Sequence, residues 1–323
     1  MKPAMPSSVE VCAGAGGQAL GLEQAGFAHA ALVELEAPYC KTLRYNRPGW
    51  NVVERDLNHF DGRPYRGADL FAGGLPCPPF SVAGKQLGEN DERNLFPAAL
   101  RIVDEIRPRA IMIENVRGFL DPVFQTYRES LRTQLGKLGY HVDWRLLHAS
   151  SFGVPQIRPR VAIVGLRKDI APGFSWPETR AATAPTVGET LFDLMAERGW
   201  RGAAAWREAA SQIAPTIVGG SKKHGGPDLG PTRARKAWAA MGVNGSTLAE
   251  QAPDPDFEGL PRLTVRMVAR LQGFPDHWAF AGKKTIAYRQ VGNAFPPPVA
   301  RAVAERIAVA LNAGARAEFR GAA

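Results

Sequence analysis

Cys77 stands between prolines in the run GGLPCPPFSVAGKQ, residues 73–86. The stretch before it, 68–72, reads as a buried strand. Cys77 therefore falls at the carboxyl end of a strand, the edge where open α/β sheets bind ligands. Pro76, Pro78 and Pro79 lack backbone donors and stiffen the turn. A thiol exposed and oriented in this way suits a nucleophile. The competing fate is a buried structural cysteine. A second candidate lies near the start of the chain. Residues 9–13 read as a strand and lead into Gly14-Ala15-Gly16-Gly17 and a helix. Glycines there let the backbone approach a ligand at a helix N-terminus. Glu34 ends the next strand, where a carboxylate takes ribose hydroxyls. Asp56 ends the third and is placed to receive an adenine amino group. Taken alone, this glycine turn also fits a dinucleotide dehydrogenase, which gives Cys77 no task.

These residues need a sheet to position them. The apolar runs at 8–13, 30–34, 52–54, 68–72, 109–114, 141–149 and 161–166 predict strands. Helical spacing appears near 17–25, 94–106 and 122–138, with Gly26 and Gly139 placed as C-terminal caps. Such alternation predicts an α/β fold, a mostly parallel, doubly wound sheet. Residues 171–186, rich in Pro, Thr and Ala, read as a linker. Residues 198–262 are Gly-rich, basic and weakly periodic. Helical periodicity returns at 264–272 and 297–311, so the last helix is expected to rejoin the first domain. The expected division is 1–197 with 286–323 as the larger domain and 198–285 as the smaller.

The 323 residues are 45% hydrophobic, enough for a sizeable core, and the formal net charge is +9, which favours a polyanionic partner. Three cysteines without a C-x-x-C pair argue for a reducing compartment and against a zinc site. The six histidines show no metal spacing, so no metal is expected. No apolar run is long enough for a membrane span and no signal peptide is evident, which points to the cytoplasm.

Six segments stand in order: EVCAGAGG (10–17), LPCPPFS (75–81), Ile113-Glu114-Asn115-Val116, QIRPR (156–160), RLQGFPDHW (270–278) and YRQVGNAFPPPVA (288–300). This order and wording resemble the bacterial DNA cytosine-5 methyltransferases over nearly the whole chain. The resemblance implies a Rossmann-like S-adenosylmethionine-dependent fold with a smaller DNA-recognition domain. It implies methyl transfer to carbon 5 of a cytosine flipped out of the duplex, with S-adenosylhomocysteine as product and host-DNA protection in restriction–modification as the setting. It makes Cys77 the nucleophile. Glu114 is to engage ring nitrogen N3 and the exocyclic amine. Arg160, with Arg158 and Gln156 beside it, is to hold the base oxygen and the Glu114 carboxylate. The implied cofactor pocket comprises Cys12, Ala13, Gly14, Gly16, Gly17, Glu34, Leu35, Asp56, Leu57, Pro76, Asn94, Leu95, Asn293 and Ala294, with Gln290 nearby. The loop from Ser81 to Asn94, carrying Lys85 and Gln86, is to close over DNA. Two positions depart from the family: Cys12 replaces a Phe that packs on adenine, and Pro78 replaces a Gln.

Why such a set does this chemistry follows from the base. Carbon 5 of cytosine is a poor nucleophile, and thiolate attack at carbon 6 makes it enamine-like. A neighbouring positive charge favours the thiolate. A carboxyl group at N3 stabilises the charge that develops. The target atoms are hidden in the duplex, so the base must leave the stack. Five cations and one acid, Asp228, lie within 216–240, in and after a glycine-rich run. Lys222, Lys223, Arg233 and Arg235 are the candidate DNA contacts, followed by Lys236. Thr216-Ile217 resembles a marker of the family's recognition region. Trp200, Trp206 and Trp238 are expected in that segment's core. A tRNA cytosine-5 methyltransferase shares much of the motif order and is the alternative. A non-catalytic DNA-binding relative is opposed by the intact Cys77, Glu114 and Arg160. The expected partners are double-stranded DNA and a separately encoded endonuclease, and the expected state is a monomer.

Overall fold

The computed structural model describes residues 5–75, 94–179, 184–220 and 226–321, with side chains as far as residue 313. Its seven strands are β1 (Ser7–Val11), β2 (Ala28–Glu34), β3 (Val52–Glu54), β4 (Leu70–Gly74), β5 (Ala110–Val116), β6 (Tyr140–His148) and β7 (Pro159–Arg167). They form one sheet in the order β3-β2-β1-β4-β5-β7-β6. The pairs β1–β2, β1–β4, β2–β3 and β4–β5 are parallel, and β5–β7 is antiparallel. All seven predicted runs are strands. The chain builds outward from β1 to β2 and β3, then returns to the other side with β4 and β5. The strand order therefore reverses between β1 and β4, the crevice where open α/β sheets take their ligands.

Helices α1 (Gly17–Gln24), α2 (Ala37–Asn46), α3 (Phe96–Ile106) and α4 (Gln125–Lys137) serve this sheet. In α3 the buried side chains Phe96, Ala99, Ile102, Val103 and Ile106 repeat at helical spacing. They share one core with Val9 and Val11 of β1, Phe71 of β4, Ile111 and Ile113 of β5 and Leu131 and Leu135 of α4. Ala19 of α1 and Leu43 of α2 pack with Leu32 of β2 in a second cluster. Gly26 and Gly139, expected as caps, take φ of +90° and +96°. Where β1 meets β4, a side chain on Gly73 would lie 2.8 Å from the Val11 carbonyl oxygen, so glycine is required for that approach.

Five further helices are α5 (Val187–Ala196), α6 (Ala203–Ala209), α7 (Thr232–Ala240), α8 (Val265–Leu271) and α9 (Lys284–Asn293), and α10 (Pro297–Gly321) ends the chain. The chain divides into two compact units, Met1–Leu147 with Pro159–Glu178 and Val299–Ala323, and His148–Arg158 with Thr179–Pro298. The second unit thus contains the expected small segment, 198–285, but begins earlier, takes in 148–158, and runs on to Pro298, so that 286–298, expected in the larger domain, falls here. Its earlier start has a local cause. Thr186 and Glu189 form a capping box that starts α5, inside the stretch read as linker and domain edge. The amides of Val187 and Gly188 then donate to the carbonyls of Gln212 and Ala210, which ties α5 to the segment after α6. The second unit's core includes Trp200, Trp206 and Trp238, as expected.

Candidate active site

Three turns at the carboxyl ends of β1, β2 and β3 build one half of the crevice. After β1 the backbone turns through positive φ at Cys12 (+51°), Gly14 (+57°) and Gly16 (+85°). A side chain on Gly14 would meet nothing within 4 Å, so that turn faces open space. Glu34 holds it in shape. Its Oε2 accepts from the Gly14 amide at 2.7 Å, and its Oε1 accepts from the amides of Leu35 and Glu36 at 2.9 and 2.8 Å. Burial raises the Glu34 carboxyl in pKa, and those three amides offset only part of that rise. Next to it Leu35 leaves 59% of its surface exposed, an apolar platform beside two acids. Asp56 caps the turn after β3 by accepting from the Asn58 amide at 2.8 Å. Arg101 of α3 fastens that turn, donating to the carbonyls of Phe60, Leu57 and Asn58. Asn94 accepts from the Phe96 amide and from the Tyr127 hydroxyl, both at 3.1 Å, and so sets the start of α3 beside Leu95.

The other half of the crevice is a charged pair. Glu114 of β5 lies in register with Gly74 of β4, and Val116 with Arg160 of β7. The Arg160 Nε is 2.8 Å from the Glu114 carboxylate, with side chains 14% and 12% exposed. A side chain on Gly74 would stand 3.5 Å from the other Glu114 oxygen and 3.9 Å from the Cys12 carbonyl. Glycine therefore leaves room over the carboxylate at the end of β4. The chain goes on from there through Leu75 to Pro76 and Cys77. Pro76, Cys77, Ser81, Lys85, Gln86, Lys222 and Lys223 lie outside the described residues. Both described cysteines are held as thiols. Burial, then the charges of Glu34, Asp56 and Glu10, raises the Cys12 pKa, and burial pushes Cys40 up to about 12. Neither competes for a nucleophile's part at neutral pH.

The resemblance set Arg158 and Gln156 beside Arg160 at the base. Arg158 is fully buried in the second unit. Its Nη1 donates to the Ile217 carbonyl at 2.6 Å, and its Nη2 to the carbonyls of Gly292 and Ala294 at 2.8 and 3.0 Å. Gln156, also buried, donates to the Gln272 side chain at 2.7 Å and accepts from the Ile217 amide at 2.9 Å. The Thr216 hydroxyl donates to the Ile157 carbonyl. The Thr-Ile marker and the Gln-x-Arg segment are thus bonded to each other. Asn293 donates to the Gly220 carbonyl at 3.2 Å, and Ala294 accepts from Gln272 at 2.6 Å. Gln290 is buried and donates to the Ala281 carbonyl. Arg233 and Arg235 are exposed on α7.

A model of the C-5 cytosine-specific DNA methylases matches residues 7–309. This chain belongs to that family. The methylase is 55% identical to the Type II methyltransferase M.NgoMIV of Neisseria gonorrhoeae, over 94% of this chain and 98% of that one. It is likewise 55% identical to M.NaeI of Lentzea aerocolonigenes, over 94% of this chain and 75% of the relative. M.Eco47II of Escherichia coli is 35% identical over 93% and 78%. Among solved structures, the DNMT2 of Spodoptera frugiperda aligns with a TM-score of 0.64 at 20% identity, covering 95% of this chain and 99% of that one. The S. pombe Dnmt2 methyltransferase aligns at 0.63 and 16%, over 95% and 99%. At that identity the likeness shows the fold alone. These matches do not favour an RNA-directed alternative. No helix among the described residues is long and apolar enough to cross a membrane.

Two signals went unread in the sequence. Glu10, two residues before the turn, is 1% exposed, and burial and the Glu34 charge raise its pKa well above the usual range. Its Oε2 has no partner among the described residues. An acid in the middle of an apolar strand was the available clue. The Arg101 clamp on 57–60 had no such clue, because a helical Arg is ordinarily solvated.

Proposed function

We propose that this methylase transfers a methyl group from S-adenosylmethionine to carbon 5 of a flipped-out cytosine in duplex DNA, and so modifies host DNA in the bacterial cytoplasm. The observation that carries this is the Arg160–Glu114 pair at 2.8 Å, opened by Gly74 at the end of the strand that leads to Cys77.

Cys77 is the nucleophile in this proposal. Its thiolate adds to carbon 6, which makes carbon 5 electron-rich. Glu114 hydrogen-bonds N3 and the exocyclic amine and stabilises the charge that the addition places on the ring. Arg160 orients the Glu114 carboxylate and meets the base oxygen. Once carbon 5 carries the new methyl group, its proton passes to solvent water and the thiolate leaves carbon 6, which restores the ring. Arg158 acts through its carbonyl contacts as a positioning residue. It carries Gln156 and the chain leading to Arg160.

The first unit offers a fit for the methyl donor: an open turn at Gly14, carboxylates at Glu34 and Asp56, and Leu35 exposed beside Glu34. Glu34 would take ribose hydroxyls, Asp56 the adenine amine, and Leu35 an adenine face. Ala13, Gly16, Gly17, Leu57, Asn94, Leu95 and Pro76 complete the proposed set. When bound, S-adenosylmethionine supplies the methyl group from a sulfonium, whose charge makes it transferable. In our reading the second unit selects the DNA site, the protein acts as a monomer, and a separate endonuclease recognises the same sequence.

Tritiated methyl transfer to duplex DNA, with tRNA as the comparison, tests this. Label is expected in DNA at carbon 5 of cytosine. A duplex with 5-fluorocytosine at the target is expected to trap the protein covalently, because fluorine cannot leave as the proton does. Label in tRNA alone, or none in DNA, refutes the proposal.

A further inference from the structure

α7 is nine residues long and mostly exposed. Only Trp238 is buried and only Ala234 half-buried, while Thr232, Arg233, Arg235, Lys236, Ala237, Ala239 and Ala240 are exposed. It carries three cations and no acid. Among the described residues none of the three has an ion pair. Elsewhere in the unit Arg198 pairs with Asp254, Arg201 with Asp256, Arg266 with Glu197, Arg270 with Asp193 and Lys284 with Glu250. The acid just before α7 is engaged too, since Asp228 accepts from the Gly230 amide at 2.9 Å.

A helix turns about 100° per residue. With Trp238 pointing inward, Lys236 lies near the centre of the outward face, and Thr232, Arg233, Ala239 and Ala240 surround it. Arg235 lies toward the side, where its stem meets Gly245: a side chain there would stand 3.3 Å from the Arg235 Cγ. The outward face therefore has Lys236 and Ala240 at its centre, Arg233 on one flank and Thr232 on the other, while Arg235, about 60° from Trp238, reaches round it only by the length of its side chain. Alanine keeps the helix narrow where it must approach another surface. At 1.5 Å per residue, α7 is about 13 Å long, and with side chains a helix is about 10–12 Å across, which the roughly 12 Å width of the DNA major groove admits.

We infer that α7 enters the major groove of the target DNA, with Lys236 reading a base edge and Arg233 and Arg235 holding the phosphates on either side. This deepens the proposal above and rests on it. A lysine at a base edge favours guanine O6 and N7. Cations on the groove walls carry no sequence information but set register and affinity. Ala240, exposed one turn beyond Lys236, is a place where an acid would meet the same phosphates.

The test uses the full chain in wild-type form and with Lys236→Ala, Arg233→Ala, Ala240→Glu and, as control, Arg201→Ala. Methylated motifs are mapped by bisulfite sequencing of DNA from an expressing host. DNA affinity is measured across a salt series, and S-adenosylhomocysteine binding and thermal unfolding check the fold. Lys236→Ala is expected to relax one G·C position in the motif. Arg233→Ala is expected to keep the motif and to lower the salt slope by about 0.9. Ala240→Glu is expected to weaken DNA binding at least tenfold, with cofactor affinity and melting temperature kept; Arg201→Ala is expected to change nothing. If wild type methylates DNA while Lys236→Ala and Ala240→Glu keep its motif, rate and salt slope, the inference about α7 is overturned and the proposed function stands. A wild type that leaves DNA unmethylated overturns both.

Discussion

Replacing Glu34 with glutamine removes one oxygen and one charge and keeps the shape. The carboxylate now serves three amides, Gly14 through Oε2 and Leu35 and Glu36 through Oε1. An amide offers one oxygen and one NH2. With its oxygen toward Leu35 and Glu36, its NH2 faces the Gly14 N–H, donor against donor. Turned over, it saves Gly14 and loses the other two. The first orientation costs less: one hydrogen bond to a charged acceptor, about 1.5–3 kcal/mol. Every 1.4 kcal/mol is a factor of ten, so affinity is expected to fall roughly 10- to 150-fold. The loss falls on the cofactor because Gly14 shapes the open turn and Glu34 is the proposed ribose acceptor. Titration calorimetry of Glu34→Gln with S-adenosylhomocysteine measures it without turnover. Unchanged affinity would refute the reasoning, whatever happens to stability. A lower melting temperature with unchanged affinity would show that the carboxylate only builds the turn.

Cys77→Ala is expected to abolish methyl transfer and the 5-fluorocytosine adduct while DNA binding persists, as gel shift and transfer assays will show. Glu10→Gln is expected to stabilise the protein at neutral pH. The Glu10 pKa is raised on folding, so the native state holds its proton more tightly and wild-type stability falls as pH rises from the ordinary carboxylate range to that raised value. The gap in melting temperature between variant and wild type should widen across that window and narrow below it. Arg158→Met takes the guanidinium from the Ile217 and Gly292 carbonyls, at about 1–3 kcal/mol each, while Ala294 keeps its bond from Gln272; urea unfolding is expected to show a loss of about 2–6 kcal/mol. Cys12→Phe, which restores the family's aromatic, is expected to tighten S-adenosylhomocysteine binding by calorimetry.

The sheet was legible because its strands are short apolar runs between glycines and helical stretches, and all seven appear. Helices that escaped notice had weaker patterns. In α2 only Cys40, Thr42 and Leu43 are buried, and in α7 only Trp238, so neither shows an apolar stripe. The start of α5 was readable in principle, since Thr186 and Glu189 spell a capping box, but the surrounding Pro, Thr and Ala suggested a linker. At the site, residue types carried the pairing of Glu114 with Arg160. They did not carry the fate of Arg158. Alternation along an extended segment places residues on one face only while the segment remains one strand. Here β7 begins at Pro159, after Arg158, and Gln156 and Arg158 turn into a different core. Glu34 was expected to face a ligand; that it also organises its own turn depends on backbone geometry that no spacing reveals.

The Arg158 latch bears on how a recognition unit could be exchanged between relatives. Arg158 meets Ile217, Gly292 and Ala294 through main-chain carbonyls, and Gln156 meets the Ile217 amide; within the segment, Gln272 adds a side chain that bonds Gln156. Main-chain groups are the same in every sequence. A foreign segment that keeps the backbone path at 217 and 292–294, and a glutamine at 272, presents the same partners, however different its other side chains. The latch thus acts as a generic socket: specificity can diverge in the loops and helices between those points while the fastening stays constant.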